Sequence, residues 1–368
     1  MKFRLVVLTT LYLTIIYLST FFTVRVVAIL ELFDSSLLHI LTIVGVVVPI
    51  ILVITMSVGY RTYNKINTGL YTVSVVWLGL VLYAFMATIV VVILFLLQSF
   101  TFIHLPLTAV AQSVYIFSTM CVAYSIVHAH RPKIVSVTVK SEQLYNAWNN
   151  KTIVLISDTH IGPVRREKFL ALVVKKINSL HPDIVFIAGD IIDGPVFSYE
   201  KVLAPLRDLK TTLGVYYTPG NHEGYNSEPE KFYPIIQELT TAIVDQRIII
   251  NNTQIVGLDF CEETATRICD RLEKTGFDTQ LPSIALLHDP KHSSTLMKQG
   301  VSLVLSGHTH YGQFFPMNLM VRAFYKKFSY GLNYEHGNAS ITSCGVGTAM
   351  MPMRLGTTPE IVVVKITK

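Results

Sequence analysis

A run of membrane-spanning α-helices followed by a layered α/β domain is the fold class this sequence predicts. Two observations carry it. Residues up to about 128 are dominated by Leu, Ile, Val, Phe and Tyr with very few charges, whereas the rest alternates apolar runs with charged segments, as a soluble domain does. Within that second part, short β-branched runs alternate with segments of helical periodicity. At 368 residues the chain has length for two domains. The expected division is a membrane region over 1–130 and an α/β domain over 132–368.

Four apolar stretches reach the roughly 20 residues a membrane helix needs: 5–24, 37–58, 70–97 and 107–127. None contains Asp, Glu, Lys or Arg, and polar breaks at 31–36, 61–67 and 98–104 separate them. Lys2 and Arg4 before the first stretch resemble the start of a signal peptide. The apolar run is too long for one, and no small-x-small cleavage site follows, so an uncleaved helix is predicted. Pro49 and Pro106 sit where membrane helices tolerate proline. With no ionisable pair inside the spans, they read as an anchor rather than a transport path. His39, near a helix end, reads as a packed or interfacial residue. Orientation follows the basic residues. Lys2, Arg4, Arg61, Lys65, Arg131, Lys133 and Lys140 fall on one side and Arg25 alone on the other, which places the C-terminal domain in the cytosol. Three Asn-x-Ser/Thr sequons, at Asn150, Asn251 and Asn338, weigh less than this asymmetry.

The second half reads in order as follows. An edge strand alternates over 134–140, and a buried β-branched strand spans 152–157. A helix over 165–180 is stopped by His181-Pro182. A buried strand follows over 184–188, then a helix over 199–210, a strand over 215–218 and a helix over 228–239. Residues 243–250 and 254–258 suit a hairpin across Asn251-Asn252-Thr253. A helix over 262–274, a strand over 283–287, a short helix over 292–298 and a strand over 301–305 come next. Strands over 340–343 and 361–366 close the series.

Just beyond five of these strands lie five motifs: Asp158-Thr-His160, Gly189-Asp190-Ile-Ile-Asp193, Gly220-Asn221-His222-Glu223, His288, and Gly307-His308-Thr309-His310. Carboxylates, imidazoles and one amide are the ligand types that bind a pair of borderline divalent metal ions. Loops past the carboxyl ends of strands are where α/β folds build sites. Each motif alone reads as a turn or an ordinary loop histidine; five in this context define a candidate metal centre. Other features point nowhere else. Cys121, Cys261, Cys269 and Cys344 show no zinc-finger spacing and read as free thiols. The net charge of +6 is spread along the chain, so no nucleic-acid partner is expected. His128, His130, His181 and His336 match no motif; the first two read as marking the membrane exit. His292 also matches none and is expected on a helix surface.

These five motifs resemble those of the calcineurin-like metallophosphoesterase superfamily, over about residues 150–350. The stretches Ile156–Gly162, Ser306–Pro316 and Pro352–Gly356 behind several membrane helices resemble its membrane-associated members. The resemblance implies a four-layer α/β/β/α sandwich and a centre of two divalent ions such as Mn, Fe or Zn. It implies Asp158, His160, Asp190 and His310 on one ion, and Asp190, Asn221, His288 and His308 on the other. A metal-bridging hydroxide would then cleave phosphoester bonds, with His222 over the leaving oxygen, Asp193 orienting it and Glu223 in support. A lipid or lipid-linked substrate at the bilayer is one expectation; soluble nucleotides or a non-catalytic scaffold are the alternatives. Protein phosphatases of the superfamily carry Arg after the second Asp of the GDxxD block. Here Gly194 stands there, so that activity is not expected.

The segment from Gln313 to Phe328 mixes Phe315, Met317, Leu319, Met320, Phe324 and Tyr325 with Arg322, Lys326 and Lys327. It admits two readings: a surface lying on the membrane, or a segment packed on the domain's own core.

Overall fold

The computed structural model describes the chain apart from residues 1, 33, 60–64, 103, 194–195, 197, 227 and 261–263, and apart from the side chains of 2–12 and 56–59. It divides into two compact units: Met1–Val127 with Met351–Met353, and His128–Met350 with Arg354–Lys368.

The first unit is helical: α1 (Lys2–Ile29), α2 (Ser35–Gly59), α3 (Lys65–Phe100) and α4 (Leu107–Ala129). Three stretches, Ser35–Thr55, Lys65–Phe100 and Leu107–Ala129, are long and apolar enough to cross a membrane. The expected span 5–24 lies in α1; its side chains 2–12 fall outside the described residues, and the described apolar part, Leu13–Ile29, is shorter than a span. At about 1.5 Å per residue, the 36 residues of α3 extend well past a bilayer's hydrocarbon thickness. Val27, Leu32, Val91 and Ala111 form a small core between the helices. Outward side chains such as Phe117, 67% exposed, stay apolar, as lipid-facing surfaces do.

The second unit runs β1 (Lys133–Lys140), α5 (Glu142–Trp148), β2 (Ile153–Ile156), α6 (Glu167–Asn178), β3 (Ile184–Ala188), α7 (Tyr199–Leu203), β4 (Val215–Thr218), α8 (Asn221–Gly224), α9 (Pro229–Leu239), β5 (Thr241–Ala242), β6 (Gln246–Ile250), β7 (Thr253–Leu258), α10 (Ala265–Lys274), β8 (Ser283–Leu287), α11 (Ser293–Lys298), β9 (Leu303–Ser306), α12 (Met317–Tyr325), β10 (Gly331–Glu335), β11 (Asn338–Thr342) and β12 (Glu360–Thr367). Two six-stranded sheets result, ordered β1-β12-β2-β3-β4-β5 and β10-β11-β9-β8-β7-β6.

Strand periodicity builds the layers, because successive side chains point to opposite faces. In β2, Val154 and Ile156 pack with α6 and α9 residues such as Leu170, Val173 and Ile236. Ile153 and Leu155 pack instead into the interior between the sheets, against Ile284, Leu286, Leu303 and Leu305. The far face of the second sheet, Val256, Ala285 and Val304, is covered by Ile268 and Leu272 of α10 and Leu296 and Met297 of α11. This is the four-layer α/β/β/α sandwich. Trp148 of α5 is fully buried at the inter-sheet core and donates from Nε1 to Thr253 Oγ1 at 2.8 Å.

The expected helix over 199–210 is α7 followed by a 3-10 turn, Ala204–Asp208, where Pro205 lacks the N–H an α-helix needs. Residues 243–250 are not one strand. The chain leaves the first sheet at β5 and enters the second at β6, turning at Asp245 with φ of 48°. His292 is buried, 7% exposed, against the expectation of a surface position: it ends the 3-10 turn Pro290–His292, which tucks in ahead of α11.

Candidate metal centre

Parallel order along β2, β3 and β4, and again along β7, β8 and β9, aims every strand's carboxyl end at one rim. Asp158 follows β2, Asp190 follows β3, and Asn221 opens α8 after β4. His288 follows β8, and His308 and His310 follow β9. All seven candidate ligands and the pair His222 and Asp193 lie on this rim.

The imidazoles converge. His160 Nε2 and His310 Nε2 are 3.0 Å apart, and His308 Nδ1 and His288 Nε2 are 3.3 Å apart. Asp158 Oδ1 lies 3.4 Å from His310 Nε2 and 3.9 Å from His160 Nε2. Asp190 Oδ2 reaches toward both groups, 3.1 Å from His288 Nε2 and 3.8 Å from His160 Nε2. Among the described residues three groups have ligand atoms close enough together to hold an ion: Asp158–His160–His310, Asp190–His288–His308 and, sharing His160 with the first, His160–Asp193–His222. The Asn221 Oδ1 atom is buried without a protein hydrogen-bond partner, which a buried amide oxygen seldom tolerates. A cation would satisfy it, so the residues present fit the ions that the motifs imply.

Local supports fix the ring directions. His288 Nδ1 donates to the Ala188 carbonyl at 2.7 Å, which leaves Nε2 facing Asp190. The carboxylate of Asp158 accepts the His308 N–H at 3.0–3.1 Å, and Asp190 Oδ1 accepts the His222 N–H at 2.9 Å. The buried Glu223 carboxylate accepts four main-chain N–H groups: Gly220 at 2.7 Å and Asp190 at 2.9 Å on Oε2, Ile191 at 2.7 Å and Ile192 at 3.2 Å on Oε1. It thus ties the loops after β3 and β4 together. Gly220 is required here, because a Cβ would overlap Asp190. Asp158, His160, Asp190, His308 and His310 all adopt positive φ, between 48° and 70°, a conformation uncommon outside glycine.

Burial and neighbours set the charges. Burial pushes His160 and His308 down to about 4, helped at His308 by His288, and holds His310 well below its ordinary value. These rings stay neutral, with lone pairs for a metal. Burial also opposes charge on His288, but Asp190 and Asp158 hold it up to about 10. That field asks for positive charge where the ligands meet. Asp190 is held well below the carboxylate range because His288, His160 and His222 outweigh its burial.

At the edge of the centre, His222 Nδ1 lies 3.0 Å from Asp193 Oδ1, with 26% of the His222 side chain exposed. Burial lowers His222, but the Asp193 bond and the Asp190 charge raise it to about 9. The ring packs edge-on to His160, 4.6 Å between centroids. Gly194, the position where protein phosphatases carry Arg, lies outside the described residues.

Two residues lie in stretches named above but were given no role in the centre. Arg354, fully buried, donates to the carbonyls of Cys344 and Gly347 at 2.7 Å each and of His310 at 2.9 Å; its Nη2 also lies 3.1 Å from His310 Nδ1. A lone Arg in an otherwise uncharged stretch was the available signal. Tyr325, at the end of α12, sets its ring against His308 at 6.2 Å between centroids.

A sandwich whose strand-end loops assemble a buried Asp, His and Asn cluster defines a class of metal-binding α/β proteins. The chain belongs to the calcineurin-like phosphoesterase family, whose model matches residues 151–312. A metallophosphoesterase of Aquifex aeolicus is 30% identical over 66% of this chain and 95% of its own length. One of Helicobacter pylori is 32% identical over 63% of each chain. A Danio rerio protein named transmembrane protein with metallophosphoesterase domain is 31% identical over 67% of this chain and 60% of its own. The chain thus spans about three fifths of the length of the last two relatives.

Proposed function

We propose that this chain is a membrane-anchored, metal-dependent phosphohydrolase with two divalent ions, its catalytic domain on the cytosolic side. The observation that carries the reading is the convergence of four imidazoles on two buried carboxylates, with Asp190 Oδ2 between the groups, 3.1 Å from His288 Nε2 and 3.8 Å from His160 Nε2. Asp158, His160, Asp190 and His310 would hold one ion, and Asp190, Asn221, His288 and His308 the other. When bound, the ions supply Lewis-acid neutralisation of phosphoryl oxygens and acidify a water.

The chain's own residues do the rest. Asp193 fixes Nδ1 of His222, so Nε2 is the atom turned to the substrate. A protonated His222 donates from Nε2 to the leaving oxygen. Glu223 and Arg354 hold the ligand loops in register, which preserves the geometry that phosphoryl transfer depends on.

The test is hydrolysis of bis-p-nitrophenyl phosphate and p-nitrophenyl phosphate by the full chain with Mn²⁺, beside Asp190→Asn and His222→Ala. Loss of roughly 10²–10⁴ in turnover is expected for His222→Ala, and turnover at background for Asp190→Asn. Wild-type turnover unaffected by either substitution refutes the proposal. Preference for the diester identifies a phosphodiesterase, for the monoester a phosphatase.

A further inference from the structure

The helix α12 is unlike its neighbours: none of its residues is buried. Met317, Met320 and Phe324, spaced i, i+3 and i+7, share one face, and Met320 and Phe324 are 63% and 70% exposed. Leu319 and Phe315 extend the apolar surface, 52% and 42% exposed. Such a helix is not left loose. The Phe315 N–H donates to the Leu355 carbonyl at 2.9 Å at its start, and beyond its end Thr309 Oγ1 donates to the Ser329 carbonyl at 2.7 Å. The second tether comes from the residue between His308 and His310. An apolar face tethered at both ends and left exposed by the described residues of its own unit is a displayed surface.

What it is displayed to follows from charge. At the C-terminal end of α12 lies a cavity of about 520 Å³, lined by Lys291, Phe324, Lys326, Lys327, Phe328 and Glu335. Lys327 pairs with Glu335, so two cations remain in surplus there, and exposed Arg322 flanks the apolar face. Apolar side chains beside surplus cations match the acyl boundary and phosphates of an anionic lipid surface. Three helices of this same chain are long and apolar enough to sit in such a bilayer.

We infer that α12 and the turn 326–328 form a docking element for an anionic bilayer surface. Met320, Leu319 and Phe324 enter the acyl boundary, and Arg322, Lys291 and Lys326 contact lipid phosphates. This goes beyond hydrolysis and stands whether or not the centre is catalytic. Since Tyr325 touches His308, docking brings the metal centre to the headgroup layer.

The test uses the full chain in nanodiscs of phosphatidylcholine with and without phosphatidylserine. A benzophenone amino acid replaces Met320 or Phe324, or, as a control, exposed Glu273 on α10. Irradiation followed by mass spectrometry counts adducts to lipid and to protein. The expected result is lipid adducts at 320 and 324 but not at 273, rising with phosphatidylserine. Arg322→Glu and Lys326→Glu should each lower the yield roughly fivefold, with the thermal midpoint unchanged. Equal yields at 324 and 273, adducts to protein alone, or indifference to phosphatidylserine and to both charge reversals would each overturn the inference. None of these readouts depends on turnover.

Discussion

Replacing Glu223 by Gln keeps the side chain's shape and changes one atom from acceptor to donor. In the wild type each carboxylate oxygen accepts two main-chain N–H groups. The Gln amide nitrogen would face two of those donors and satisfy neither. Each buried donor left without an acceptor costs about 1–3 kcal/mol, so the loss is about 2–6 kcal/mol. For a domain of this size that lowers the thermal midpoint by roughly 4–24 °C. An opposing effect exists: burial and the neighbouring Asp190 push Glu223 up to about 7, so removing its charge relieves repulsion. Two buried N–H groups left without an acceptor against one repulsive neighbour favour destabilisation. Differential scanning calorimetry of the full chain in nanodiscs measures the shift, and metal content by mass spectrometry shows whether the loops after β3 and β4 have separated. A midpoint within about 2 °C of wild type, or a rise, would refute the argument that this carboxylate binds the two loops.

Arg354→Met should cost a comparable 2–6 kcal/mol, because the Cys344 and Gly347 carbonyls lose the guanidinium that satisfies them; a lower thermal midpoint with reduced metal content checks it. Gly220→Ala should lower metal affinity, since the added methyl displaces Asp190; titration with Mn²⁺ reads this. Burial raises Asp183 and is the largest single influence on it, but the Thr152 N–H, Lys151 and Thr212 together outweigh it and hold the carboxyl below its ordinary value. Its contribution is therefore present above about pH 4 and is lost as pH falls through the lower folded value. Asp183→Asn should narrow the gap in urea midpoint between pH 7 and pH 3.

How much was legible in the sequence differs by element. Strands buried on both faces, such as β2 and β3, announce themselves as unbroken apolar runs rich in Ile and Val, and the motifs behind them mark the rim. The α12 helix was not legible as a helix, because apolar Leu319 lies off its Met317–Met320–Phe324 line and blurs the period, and no buried face orders it. The half-exposed β10, Gly331–Glu335, carries no apolar run at all. Asn338, in an apparent glycosylation sequon, donates from its buried amide to the Met297 carbonyl, a use no tripeptide pattern reveals. The work of Arg354 was hidden because its partners are main-chain carbonyls, which every sequence has.

The left-handed backbone at Asp158, His160, Asp190, His308 and His310 restricts how this chain can drift. Asn, Asp, His and Gly tolerate that conformation, whereas a β-branched or bulky residue is strained in it. Asn221 and His288 have ordinary backbone. If the seven are ligands as proposed, the five are constrained twice, by ligation and by backbone conformation, and the other two by ligation alone. On the proposed reading, were metal binding to become dispensable in some descendant, Asn221 and His288 would be free to wander first. The remaining five would change mainly to glycine or asparagine, leaving a recognisable outline of the centre long after its chemistry had gone.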